Sequence, residues 1–151
     1  MPDSAPVTKD DSELVVELSW TILDTFTRKR AAADRVTAEA GQSTPRFSVL
    51  REIAVQGPRS VADIARARRA ARQGVQRLAS ELVADGLVVF APNPRHRRSP
   101  LLELTSRGRR VTAQLIADQD AIARRIAPAL DRKRVRTAIA VLREFGALVE
   151  P

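Results

Sequence analysis

A mainly α-helical domain with one small β-wing is predicted for this 151-residue sequence by three observations. Apolar residues recur at helical spacing through most of the chain. Two short β-like runs flank a proline-broken basic tip near its middle. Positive charge is concentrated in the same region: residues 57–110 hold twelve Arg against four Asp or Glu, a net +8 equal to that of the whole chain. Residues 1–56 hold seven basic against nine acidic groups, and 111–151 seven against five. An even spread would mean only a cationic surface; concentration on one third of the chain is the electrostatic footprint of a nucleic-acid binder.

The elements follow in order. Residues 1–10, polar with two prolines, read as a disordered tail. From Asp11 the pattern is helical, with Leu14, Val15, Leu18, Ile22 and Phe26 on one stripe, acids at the positive end of the dipole and Gly41 as the stop. Thr44-Pro45 reads as an N-cap and a first-turn proline for a second helix, with Phe47, Leu50, Ile53 and Ala54 inward and Gly57-Pro58 at its end. Ser60 caps a short third helix with Val61, Ile64 and Ala65 inward. A basic turn at residues 66–69 leads to a fourth helix from about 71 to 84, with Val75, Leu78, Ala79 and Leu82 inward and Gly86 after it. Residues 87–90 and 101–104 are β runs, and the three prolines between them exclude regular structure there. Thr105 caps a long helix bearing Val111, Leu115 and Ile122. Pro128 interrupts it, and Asp131 starts a last helix with Val135, Ala138, Ile139, Leu142 and Phe145.

Composition removes several classes of function. The chain has no Cys, one His and no Tyr, so no disulfide, thiolate chemistry, catalytic nucleophile–base pair or metal cluster is legible, and neither a metal nor a cofactor is expected. No apolar run approaches the length of a membrane span, and residues 1–6 carry no secretory signal, so a cytoplasmic, non-membrane protein is expected. Five scattered aromatics make no stacking platform for single strands.

Two short helices joined by a tight turn, followed by a two-stranded wing, describe a winged helix–turn–helix. The face of the fourth helix opposite its core stripe carries Arg72, Gln73, Gln76, Arg77 and Ser80. Arg bonds guanine O6 and N7 in bidentate fashion, and Gln does the same for adenine N6 and N7. The same residue types also describe a solvated helix face. The wing tip adds Arg95, Arg97 and Arg98 with no carboxylate from residue 90 to 100, which suits a minor groove or its phosphates. Ser60 has two compatible roles, cap of its helix and partner for a phosphate at the helix N-terminus.

The ordered run Thr44, Phe47, Leu50, Ile53, Gly57, Ser60-Val61-Ala62-Asp63-Ile64-Ala65, then Arg72-Gln73, Val75, Arg77-Leu78, Leu82, Gly86-Leu87, then Arg95, Arg97-Arg98, Leu104-Thr105 and Gly108 resembles the MarR family of transcriptional regulators. In order and number of helices the resemblance spans roughly residues 12–148. It implies a homodimeric winged helix protein on a palindromic operator, usually a repressor, often released by a small phenolic or lipophilic ligand. Three positions depart from the family pattern. His96 stands where many members have an Asp that orients the wing arginine. Ala71 stands where the recognition helix usually has a Ser or Thr cap, and Gly74 lies inside that helix.

These readings give one domain over residues 11–151, with dimerisation helices in 11–41 and 106–151 around a winged helix–turn–helix at 44–105. The partners expected are double-stranded DNA, a second copy of the chain and a small-molecule effector. Trp20, Phe26 and Phe47 are the candidates for an apolar ligand cleft between the first two helices, although aromatics at helical spacing equally describe core. The alternative function is a sequence-neutral architectural DNA-binding protein, nucleoid-associated. The ratio of affinities for a selected site and for random duplex separates the two.

Overall fold

The computed structural model describes residues 9–149, and its elements run α1 (Lys9–Glu39), α2 (Thr44–Gln56), β1 (Arg59–Ser60), α3 (Val61–Ala67), α4 (Arg72–Ala84), β2 (Val88–Ala91), β3 (Leu101–Leu104), α5 (Ser106–Ile126), a 3-10 turn (Ala127–Ala129) and α6 (Arg132–Leu148). Helices with a small β-wing are what the periodicity predicts. α1 opens at Lys9, two residues ahead of the expected start, and the rest of the expected tail lies outside the described residues. The described residues divide into two compact units, one ending at Thr112 and the other beginning at Ala113.

The core of the first unit is built by α2, α3, α4 and the sheet. Val49, Leu50, Ile53, Val61, Ile64, Ala65, Val75, Ala79, Leu82, Leu87, Val88, Leu102 and Leu104 form one buried cluster. Ala54, expected to face inward, is exposed, and Val49 takes its place because α2 turns its 49/50/53 edge to the cluster. The cap of α2 is Ser43 rather than Thr44: Ser43 has extended backbone, and its Oγ accepts from the Arg46 N–H at 3.4 Å.

The sheet has three strands, not two, in the order β1-β3-β2 and wholly antiparallel. β2 and β3 pair Val88 with Leu104 and Ala91 with Leu101, while β1 pairs Arg59 with Leu102 and Ser60 with Leu101 on the other edge of β3. β1 escapes sequence reading because two residues carry no period.

Between α3 and α4 the chain turns through Arg69 at φ 50, a left-handed residue without glycine, and the Ala70 N–H donates to Ala65 O at 2.9 Å. That conformation costs a non-glycine residue about 1 kcal/mol. After α4, Gly86 takes φ 64, and the Leu87 N–H returns to Leu82 O at 2.9 Å. The chain then meets the start of α5. The Thr105 hydroxyl donates to Gly86 O at 2.7 Å and accepts from the Gly108 N–H at 2.9 Å, capping α5 while tying it to the end of α4. Gly108 lies against the Leu87 backbone so closely that a Cβ there would overlap the Leu87 carbonyl oxygen and lie 2.9 Å from its carbon.

In the second unit, Leu115 is buried on α5, and Pro128 sits in the 3-10 turn that ends that helix. Asp131 caps α6, its Oδ1 accepting from the Arg134 N–H at 2.8 Å. No residue of α6 is buried, and Ile139, Val141, Leu142 and Leu148 are exposed. α1 likewise exposes Leu14, Val15, Val16, Trp20, Leu23 and Phe26. Both faces are apolar and without cover.

Two predictions follow from this packing. Gly108→Ala should destabilise the protein by about 3 kcal/mol in urea titration, because backbone rather than a flexible side chain must yield. α4 starts at Ala71 without a side-chain cap and holds Gly74 in its first turn, features that each cost about 1 kcal/mol. Amides of residues 72–74 should therefore exchange much faster in the free protein than those of residues 78–82. Equal protection along the helix would refute the frayed start.

Candidate nucleic-acid interface

Burial of Val75, Ala79 and Leu82 turns the opposite side of α4 to solvent. Arg72, Gln73, Gln76, Arg77 and Ser80 all stand exposed there and line one shallow groove. Among the described residues the side chains of Arg72, Gln73 and Gln76 make no hydrogen bond or ion pair. Arg77 Nε is 3.8 Å from Glu81 one turn on, an exposed pair worth a few tenths of a kcal/mol, so its guanidinium is not committed. Ser80 donates its hydroxyl to Gln76 O at 3.1 Å, which leaves only its lone pairs to offer outward.

The wing is ordered by Asn93. Its Nδ2 donates to Ser99 O at 2.8 Å across the loop, and its Oδ1 accepts from the Arg95 N–H at 3.1 Å. The His96 N–H donates to Asn93 O at 3.2 Å, and the Ser99 N–H to His96 O at 2.9 Å. These bonds hold the tip without a carboxylate at position 96. Among the described residues no carboxylate lies within ion-pair distance of Arg95, Arg97 or Arg98.

A second cleft opens between this tip and the start of α3. Arg66, Arg72, Arg95, Arg97 and Arg98 line it together with His96, and Asp63 is its one carboxylate. Arg72 belongs to both clefts, so the α4 face and the wing form a continuous surface. Arg66 pairs with Asp63 at 3.3 Å, and the four arginines left without a carboxylate repel one another and favour a polyanion.

Ser60 is placed differently from the arginines. It is only 3% exposed, and its Oγ accepts from the Asp63 N–H at 3.2 Å while donating to Asp63 Oδ2 at 2.6 Å. Both functions of the hydroxyl are engaged in capping α3, as a capping box with Asp in the N3 position. The Ser60 side-chain bond holds the Asp63 carboxyl below its usual range, aided by the positive charges of Arg66 and Arg59.

Other arginines of the basic block are structural. Arg59 pairs with Glu52 at 2.7 Å, Arg68 donates to Ser48 O at 3.3 Å, Arg107 to Asp85 O at 3.0 Å and Arg109 to Leu104 O at 2.7 Å. Among the described residues, the arginines of this block whose side chains make no hydrogen bond or ion pair are Arg72 on α4, the three of the wing, and Arg110 on α5. Sequence reasoning missed Arg66 as a lining residue, since a basic turn gives no sign of facing a wing tip that begins at Arg95. It also missed Asn93, whose place between two prolines is the signature of an Asx turn.

The three aromatic candidates do not share a surface. Phe47 is 3% exposed and inside, whereas Trp20 and Phe26 are 68% and 61% exposed on α1. Among the described residues no group of His, Asp and Glu is placed to hold a metal ion, and no helix is long and apolar enough to cross a membrane.

A model of the MarR family matches residues 41–99, the span from α2 into the wing. Uncharacterized proteins of Mycobacterium bovis and Mycobacterium tuberculosis are 37% identical over 102 residues, covering 68% of this chain and 71% of theirs. Among solved structures, a MarR family transcription regulator superposes with a TM-score of 0.82 at 20% identity, over 92% of this chain and 95% of its own. Staphylococcus aureus MarR in complex with salicylate and kanamycin gives 0.81 at 14% identity, over 91% and 93% of the two chains. A mutant of MarR from E. coli complexed with operator DNA gives 0.76 at 20% identity, over 86% and 94%.

The low-lying Asp63 carboxyl carries a pH signature. Its ionised form is favoured by folding, so its stabilisation is complete above the unfolded value near 4 and disappears as pH falls through the lower folded value. Asp63→Asn should therefore lose less stability than the parent chain between about pH 4 and pH 2, read as the change in urea midpoint. Identical acid slopes would contradict the assignment.

Proposed function

We infer, since this chain belongs to the MarR family of transcription regulators, that it binds double-stranded DNA sequence-specifically as a homodimer. In this reading it represses from a palindromic operator and leaves it when a small apolar or phenolic ligand binds. The observation that carries the DNA part is the continuity through Arg72 of an uncommitted Arg/Gln face with an uncommitted arginine wing. α4 enters the major groove, where Arg72, Gln73, Gln76 and Arg77 meet base edges and Ser80 accepts from outside. The wing carries Arg95, Arg97 and Arg98 to the adjacent minor groove or its phosphates. Ser60 contributes by fixing α3 rather than by donating to a phosphate.

The exposed apolar faces of α1 and α6 support a second copy of the chain. Large apolar side chains left exposed on a helix are a usual mark of an association surface, and a two-fold pair of reading heads matches a two-fold site. Release by a ligand draws on one structural neighbour, solved in complex with salicylate and kanamycin. In this chain Trp20 and Phe26 on α1 are the aromatic side chains with surface to offer, whereas Phe47 would line such a site only if the core beside it opened.

The test is a pair of substitutions. Arg77→Ala should cost about 1–3 kcal/mol at a selected site and narrow its margin over mismatched sites. Arg98→Ala should weaken all duplexes alike and lower the salt dependence by about one phosphate contact. If Arg77→Ala leaves discrimination unchanged, the base-reading role is wrong. A parent chain that binds selected and random duplex equally is an architectural protein instead, since a regulator should favour its site about a thousandfold.

A further inference from the structure

Gly74 is the third residue of α4 and lies on the flank of its exposed face, next to Gln73 and one turn before Arg77. Its backbone is ordinary right-handed helix, because the left-handed glycines among the described residues are Gly41, Gly57 and Gly86. A Cβ built on it meets nothing within 4 Å. Neither conformation nor packing inside the free chain calls for glycine here, and almost any other residue would make this turn more stable. Gly108 is the contrast, since there the Leu87 carbonyl leaves no room for a side chain.

The space at Gly74 acquires a use when α4 sits in DNA. A helix with its side chains is about 10–12 Å across and the major groove about 12 Å wide, so residues on the helix flanks meet the groove walls. The two residues that lead into the helix, Ala70 and Ala71, are also small and exposed. We propose that Gly74 is a specificity-determining position where the DNA wall packs against the helix backbone itself. A side chain there holds the helix out of the groove. The proposal rests on α4 being the groove-reading helix.

The experiment uses the full chain and measures melting temperature together with affinity for a selected site and for random duplex at one salt concentration. Gly74→Ala should melt higher, by about 3 °C, and bind the selected site roughly tenfold more weakly. Ala71→Ser stiffens the same turn by supplying a cap, and should melt higher without weaker binding. Gly74→Ala that is stabilised and binds as tightly as the parent overturns the proposal. Equal weakening by Ala71→Ser also overturns it, because stiffness rather than space is then what binding resists. A parent chain that does not discriminate between the two duplexes removes the groove-reading role of α4 and this proposal with it.

Discussion

The junction at Leu87 sets the geometry on which the rest of the first unit depends. Its amide closes the end of α4, its carbonyl accepts from the Thr105 N–H at 3.0 Å, and its backbone is pressed by Gly108. Its side chain is in the core, and the next residue begins β2 opposite Leu104. One residue therefore joins α4, both long strands of the wing and the first turn of α5. The Thr105 hydroxyl adds a bond to the residue before it, Gly86. This is the physical content of the Leu-Thr-x-x-Gly closure: the threonine is a cap shared by two elements, and the glycine lets two backbones touch. Because α4 and the wing leave the same junction, the direction of the helix face and that of the arginine tip are fixed together.

Electrostatics then separates arginines of one composition into two kinds. Arg59, Arg68, Arg107 and Arg109 are held by carboxylate or carbonyl oxygens and serve the fold. Arg72, Arg95, Arg97 and Arg98 have no such partner among the described residues and face one continuous surface. Counting charge along the sequence locates the module; only the hydrogen bonds show which cations are left for a polyanion. The departures from the family pattern fall in that surface too. At the tip, where His96 stands, Asn93 holds the loop backbone by hydrogen bonds and adds no negative charge.

Much of the fold was legible because it rests on local chemistry. Ser60, Thr105 and Asp131 cap helices as their neighbours imply, and the stripe of α4 is the buried one. Features set by tertiary contact were not. Ser43 and Thr44 are equivalent as caps in sequence, and the turn after α1 decides between them. Ala54 and Val49 exchange places because rotation of a helix by part of a turn leaves its periodicity unchanged. β1 exists only because β3 has a free edge. In the candidate interface, the five α4 residues and three wing arginines were readable as exposed basic, amide and hydroxyl groups. Arg66, by contrast, becomes a lining residue only when the wing folds back beside α3.

The central claim is that this basic module is a reading head presented twice. Selection of genomic fragments by the purified full chain, followed by sequencing, tests it most directly. The account predicts an inverted repeat whose half-sites are centred about 10 bp apart, one helical turn. Recovered fragments that share no sequence, or share one only as an unpaired half-site, would contradict it.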